Sequence, residues 1–325
     1  MNAMTELPLR GAALFEGQDL PLLVTPADPG TSLEACGAAI HAYAAAHLER
    51  VGGILFRGFA VRDVSAFKDF AASFGDSLLS YEFGSTPRSK VEQGVYTSTE
   101  YPAHQSIPLH NEQAYTRQWP MRIWFYCDTA APEGGETPIA DSREVYRRID
   151  PAIRERFMDK GLMYVRNYGN GLDVPWQQVF NTEDPAAVET YCRSQGIAWE
   201  WKDDGELRTR QVCQAVATHP RTSDIVWFNQ AHLFHVSALE ASVREALLAI
   251  VEEEDLPRHV YYGDGSPIED AALDEIRAVY DSVTVRFPWQ RGDVLMLDNM
   301  LAAHGRAPFT GPRRVVVAMA QGHGI

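Results

Sequence analysis

The chain has 325 residues, 45% of them apolar and 22% charged, the balance of a globular protein with material for one large domain or two small ones. A formal net charge of −15 argues against a nucleic-acid groove or an anionic membrane surface as the main partner, because both repel a negative protein. No apolar run approaches the ~20 residues that span a bilayer. The opening MNAMTELPLRGAALFEG lacks the basic start and apolar core of a secretory signal. The four cysteines (Cys36, Cys127, Cys192, Cys213) form no C-x-x-C pair, which excludes a zinc ribbon and points to reduced core thiols in the cytoplasm.

Taken in chain order, Ser32 stands where it can cap a helix through EACGAAIHAYAAAHLER, and Gly52 and Gly53 stop it. GILFRGF predicts a short buried strand. Asp63 is placed to cap VSAFKDFAASF, which ends at Gly75, and residues 84–108, rich in Ser, Pro, Gln and Gly, read as a loop. IWFYCDTA (123–130) is aromatic and β-branched and predicts a strand. After PEGGE and TPIA, Asp141 and Glu144 have capping-box spacing for SREVYRRI, and LMYVRNY predicts another strand. Residues 170–260 mix helix signals (PAAVETYCRSQ, LEASVREALLAIVEEE) with short strands such as DIVWFN. They read as an insertion that packs over the core and can close a site. SVTVRF, DVLMLD and RRVVVAMA then return to strands. Strands early and late, with helices between, predict a mainly β (α+β) fold with flanking helices. Its sheet core closes by non-local pairing within a single domain over 1–325.

The segment IPLHNEQAY holds His110 and Glu112 two residues apart, and on a strand such residues project to one side. An imidazole and a carboxylate can therefore converge on one ion, although a lone H-x-E equally describes a polar surface strand. The second piece is His304, in the small-residue turn Ala302-Ala303-His304-Gly305. Two histidines and one carboxylate occupy one face of an octahedron, the arrangement of non-haem Fe(II) oxygenases. Three positions stay open, two for a bidentate 2-oxo acid and one for O2. Thiolates would instead favour zinc or an iron–sulfur cluster. The distal carboxylate of a 2-oxo acid needs an anchor. Arg314, at the head of a β-branched strand, is the expected one, because a guanidinium binds a carboxylate through paired hydrogen bonds. Thr137, in GGETPIAD, is the expected hydroxyl donor to the same group.

Other polar residues admit two readings. His232 and His235 (AHLFH) at i and i+3 share a helix face and fit either zinc ligands or lid packing. His219 beside Pro220 has no evident partner. Arg166 and Arg306 could meet a substrate carboxylate, and Gln105 and Asn229 could orient an amide or amine; each equally fits the surface.

These motifs together resemble the TauD/TfdA (taurine dioxygenase-like) family of Fe(II)/2-oxoglutarate-dependent oxygenases. The strings LHNEQAYTRQWPMRIWFYC, GGETPIADSREVY, WFNQAHLFH and DNMLAAHGRAPFTGPRR look most like its SyrP-like branch, the syringomycin-cluster aspartate hydroxylases. The resemblance covers roughly residues 50–320. It implies a double-stranded β-helix (jelly roll), Fe(2+) on His110, Glu112 and His304, and 2-oxoglutarate on Thr137 and Arg314, with O2 as the other cosubstrate. Two departures matter. The taurine enzyme has Asp where Glu112 stands, and a halogenase would have a small residue there, so Glu112 argues against halogenation. Ala318 stands four residues after Arg314, where taurine-type enzymes carry the arginine that reads a sulfonate, so a sulfonate is disfavoured. The SyrP-like branch implies hydroxylation of an unactivated C–H bond, at the β-carbon of an amino acid or of an aminoacyl group on a peptidyl carrier protein, in secondary metabolism. Desaturation or epoxidation would use the same residues. A jelly-roll hydrolase or isomerase could use the same three ligands with zinc or manganese, without needing Thr137 and Arg314. Homo-oligomer formation stays open.

Overall fold

The computed structural model describes residues 8–80, 89–98, 101–169, 171, 174–202 and 205–324; positions 84–88 and 99–100 of the expected loop lie outside the described residues. Its largest sheet runs, edge to edge, Leu9–Phe15, Gln18–Pro26, Gly53–Phe56, Val294–Asp298, Gln118–Thr129, Arg314–Gly324, Val95–Thr97 and Lys90–Glu92. Gln118–Thr129 and Arg314–Gly324 are its longest antiparallel pair, with Val316 opposite Tyr126 and Val317 opposite Phe125. The near-continuous apolar run VVVAMA reflects burial on both faces of the sheet.

Alternation divides those faces. Trp124, Tyr126, Val294, Met296, Val316 and Ala318 pack with residues of the helices Gly37–Val51 and Val64–Ala72, including Ile40, Leu48, Phe67 and Phe70. Phe67 stacks on Tyr126 at 5.4 Å between centroids. Ile123, Phe125, Cys127, Leu295, Leu297, Val315, Val317 and Met319 face the other way and pack on Ile139 and Ala302. These last two belong to a three-stranded sheet in the order Ile107–His110, Ala302–Arg306, Ile139–Asp141. All four cysteines are buried and unbridged.

The stretch read as an insertion shares a four-stranded sheet with its flanks, in the order Ala198–Trp201, Leu207–Cys213, Leu162–Tyr168, Arg258–Tyr262. No helix among the described residues is long and apolar enough to cross a membrane.

Several local expectations hold. The Asp63 carboxylate accepts from the Ala66 amide at 2.9 Å, and Asp141 accepts from Arg143 and Glu144 at the start of Ser142–Arg148. Gly52 closes the first helix with φ 83°. Others need correction. Ser32 bonds the Ala35 amide in a turn, and the helix starts at Gly37 behind Cys36. SVTVRF forms no named strand. The helix Asp270–Val283 runs into it, because Ala272, Leu273, Ile276, Val279 and Tyr280 make a buried stripe of helical period that outweighs the β propensity of its end. Only Val285 bridges to a strand, at Ile139. The amino-terminal hairpin Leu9–Phe15/Gln18–Pro26 has no counterpart in the sequence reading.

Candidate metal centre

The three-stranded sheet brings the two halves of the constellation together. Its strands Ile107–His110 and Ala302–Arg306 pair antiparallel with His110 opposite His304, and the two rings lie 4.6 Å apart. Gly305 permits this approach, since a Cβ there would meet the Ile107 carbonyl oxygen at 2.5 Å. Glu112 follows where the strand has ended, and Gln113 turns the chain away with φ 56°, a left-handed conformation that non-glycine residues adopt mostly under constraint.

His110, Glu112 and His304 each offer a ligand atom, and these atoms all lie within 4.8 Å of one another. His304 Nε2 stands 3.7 Å from Glu112 Oε2. Ligands at right angles around an ion, each ~2.1 Å from it, would be roughly 3 Å apart, so a small inward movement completes the set. His110 Nδ1 is 2.8 Å from the Pro108 carbonyl oxygen. A carbonyl only accepts, so Nδ1 carries the hydrogen and Nε2 keeps its lone pair for an ion. Phe125 packs on the His304 ring at 4.9 Å. Glu112 and His304 are both buried, a setting in which a bound cation would stabilise the carboxylate. Among the described residues no other trio of this kind occurs. The donor set therefore fits a divalent metal with open positions.

A small cavity adjoins the trio, lined by Ser98, Ile107, His110, Phe125, Thr137, His304, Gly305, Arg306 and Arg313. Thr137 is where the sequence placed it. Trp289 Nε1 donates to its Oγ1 at 3.1 Å; an indole N–H cannot accept, so the hydroxyl hydrogen remains for another partner. Arg314 is not at the cavity. Its side chain is 49% exposed and pairs with Asp128 at 3.0 Å. The basic residue beside Thr137 is Arg313. Arg313 stands one residue before the strand Arg314–Gly324 and continues the phase of Val315, Val317 and Met319, which face the inter-sheet core, whereas Arg314 continues that of Val316, Ala318 and Ala320, which face the helices.

Arg313 donates from Nε to the Gly135 carbonyl at 2.8 Å and from Nη1 to Ser98 Oγ at 3.2 Å, and it forms no ion pair among the described residues. Burial first, then the Arg306 charge, pull its guanidinium down to about 10, so it is still cationic at neutral pH. A half-buried cation beside a cavity, with no ion-pair partner among the described residues, suits an anionic ligand. The same shift in phase revises the substrate argument: Ala318 faces the helices, and the residue four past Arg313 is Val317, buried between the sheets.

The remaining polar candidates resolve differently. Arg306 donates to the carbonyls of Tyr101, Pro102 and Gln105 at 2.7–2.9 Å, so it secures that loop while lining the cavity. Asn229 bonds the Ala215 carbonyl and the Ala231 amide. Arg166 lies in the second sheet over the Tyr168 ring. His232 and His235 join no metal trio: His232 stacks on Tyr280 and its Nε2 meets the Leu109 carbonyl at 2.8 Å, while His235 packs on His259. His219 does have a partner, contrary to expectation, with Nε2 3.1 Å from Asp298 Oδ2 and both side chains fully buried. Trp289, Ser98 and Arg313 escaped the sequence reading. Only Arg313 carried a usable signal, the parity of its strand.

Comparison with known proteins agrees with this architecture. The dapdiamide synthesis protein DdaC of Enterobacter agglomerans is 46% identical over 272 residues, covering 84% of this chain and 83% of that protein. A clavaminate synthase-like protein of Arabidopsis thaliana is 31% identical over 335 residues, covering 97% and 98%. Among solved structures, PvcB of Pseudomonas aeruginosa superposes with a TM-score of 0.58 at 16% identity, over 98% of this chain and 93% of that one. An asparagine oxygenase superposes with a TM-score of 0.54 at 14% identity, over 87% and 79%. Residues 10–319 match the family described as taurine catabolism dioxygenase TauD, TfdA family. With a relative of 46% identity and a match over nearly its whole length, this chain belongs to the TauD/TfdA family and is a dioxygenase of the iron and 2-oxoglutarate type.

Proposed function

We propose that this dioxygenase hydroxylates an unactivated C–H bond, at the β-carbon of an amino acid or of a carrier-bound aminoacyl group. The proposal takes the whole chain as one jelly-roll domain, with the segment 170–260 as an insertion that packs over the core. The observation that carries it is the juxtaposition of the His110, Glu112 and His304 ligand atoms with a cavity holding Thr137 and Arg313, which forms no ion pair among the described residues. Bound iron(II) supplies activation of O2 coupled to decarboxylation of 2-oxoglutarate to succinate. The chain's own groups do the rest. His110, Glu112 and His304 hold the metal on one face. Arg313 takes the distal carboxylate of 2-oxoglutarate by charge-assisted hydrogen bonds, with the Thr137 hydroxyl as a second donor. Phe125 and Ile107, on the cavity wall, limit water.

Glu112 fills the carboxylate position, which speaks against halogenation. The residue four past the anchoring arginine is Val317, apolar and buried between the sheets, which speaks against a sulfonate. The amino-acid reading draws support from two proteins. DdaC is named for dapdiamide synthesis, and the asparagine oxygenase of similar fold was crystallised with Fe(II), 3-hydroxyasparagine and succinate.

The test is O2-dependent succinate formation with Fe(II) and ascorbate, across amino acids free and thioester-linked to phosphopantetheine, with product masses recorded. A gain of one oxygen atom supports hydroxylation, and a loss of two hydrogens indicates desaturation instead. No succinate with any substrate would overturn the oxygenase reading. His110→Ala and His304→Ala should each abolish iron binding while the fold survives.

A further inference from the structure

The metal trio depends on a stretch of main chain that the sheet itself does not hold. Its strand ends at His110, yet Glu112 must present its carboxylate beyond that end. Three buried side chains bind the backbone there. Asn299 Oδ1 accepts from the Glu112 amide at 2.7 Å, and Asn299 Nδ2 donates to the Glu112 carbonyl at 3.0 Å and to the Pro120 carbonyl at 2.8 Å. Gln230 Nε2 donates to the Asn111 carbonyl at 2.8 Å. His232 Nε2 lies 2.8 Å from the Leu109 carbonyl, which makes that nitrogen the donor. The contact with Asn299 is reciprocal, since Asn111 Nδ2 donates to the Asn299 carbonyl at 2.6 Å and to Ser142 Oγ at 3.0 Å. Asn111, Asn299, Gln230 and His232 are all buried.

The geometry points to Asn299, Gln230 and His232 as positioning residues that hold main chain 109–112 in place for metal binding. They thereby link two distant segments to the metal centre. Asn299 lies five residues before His304, so its bonds with Asn111 and Glu112 set the separation of two ligands that are 192 positions apart. Gln230 and His232 belong to the 229–234 segment, itself tied down by Tyr164 on the Gln230 amide (2.8 Å) and by Arg277 on the His232 carbonyl (3.1 and 3.2 Å). A metal site needs its ligands held within about 0.5 Å, and a buried amide or imidazole is costly unless fully bonded. Three such groups converge on the ligand-bearing backbone, where apolar side chains could have filled the same space. The AHLFH motif, which offered zinc ligands in the sequence, thus supports the backbone of the iron ligands.

This inference rests on the metal-site reading above, and the test separates the two. Co(II) binding to the metal-free full chain is titrated by calorimetry and by its visible spectrum, alongside the thermal midpoint of the metal-free protein. Wild type should bind one ion and His110→Ala none; absence of that contrast overturns the metal site itself. Asn299→Asp keeps the shape and one acceptor but places a carboxylate against two carbonyls, and it should weaken Co(II) binding roughly 10- to 100-fold with an altered spectrum. Gln230→Met serves if Asn299→Asp does not fold, with weakening in the same direction. His232→Leu should weaken binding, and His232→Gln, which keeps a donor, should recover most of it. Wild-type affinity in the clamp variants overturns the inference. So does a loss of affinity that only tracks a fall in the metal-free midpoint, because the residues would then serve the core alone.

Discussion

Replacing Arg313 with glutamine, beside Arg314→Gln as the control, tests the cosubstrate site at its most specific point. Arg313 is half-buried, forms no ion pair among the described residues, and lies on the cavity shared by Thr137 and two of the metal ligands. Charge-assisted hydrogen bonds to a carboxylate contribute about 1.5–3 kcal/mol, and truncating one partner of a buried charge pair costs about 2–5 kcal/mol. A loss of about 2–4 kcal/mol corresponds to roughly 30- to 1,000-fold weaker 2-oxoglutarate binding at about 1.4 kcal/mol per tenfold. Arg314 pairs with Asp128 at the surface with half its side chain exposed. Its loss should cost about 0–1 kcal/mol of stability and leave cosubstrate affinity unchanged. The assay is anaerobic calorimetry of 2-oxoglutarate with Fe(II)-loaded enzyme, supported by the KM from succinate formation. Because burial brings Arg313 down to about 10, wild-type affinity should stay level from pH 6.5 to 8.5 and weaken as pH approaches 10, where the guanidinium loses its proton. Undiminished binding by Arg313→Gln, or a large loss with Arg314→Gln, would refute the assignment.

Three further outcomes follow from the packing. Phe67→Ala removes a fully buried ring stacked on Tyr126 and should cost about 3–5 kcal/mol in denaturant unfolding, with the KM for 2-oxoglutarate unchanged because the ring lies on the helix-covered face. Asp141→Ala removes the cap of the helix Ser142–Arg148 and should cost about 0.5–2 kcal/mol in the same measurement. Burial lowers His235 and His259 to about 4, helped at His235 by its neighbour His259 and at His259 by Arg244. A histidine held below its ordinary value of 6.5 stabilises the fold fully above that pH, and the contribution is lost as pH falls toward 4. The thermal midpoint should therefore drop steadily between pH 6.5 and 4, and His259→Gln should flatten that slope.

The strongest signals in the sequence were those that depend on near neighbours or on residue chemistry. Asp63, Asp141 and Gly52 act within their own turns, so the helix ends they set were readable directly. His110, Glu112 and His304 were readable as a candidate set too, because an i, i+2 pair at a strand end and a distant histidine match one coordination pattern. The pair's position at a strand end is visible in the chain; the pairing of His110 with His304 is a tertiary fact. SVTVRF misled because its residues favour a strand locally, whereas the buried stripe of Asp270–Val283 fixes the helix that enters it.

Sequence alone thus determined which atoms could bind a metal and which chemistry they suit. Tertiary structure decided which of two adjacent arginines serves the cavity, because strand parity becomes a direction only once one face of the sheet is known to hold the site. It also supplied the partners of His219, His232 and Asn299. Their partners, Asp298, the Leu109 carbonyl and the Glu112 backbone, lie 79, 123 and 187 positions away, and no local pattern encodes a hydrogen bond across that distance.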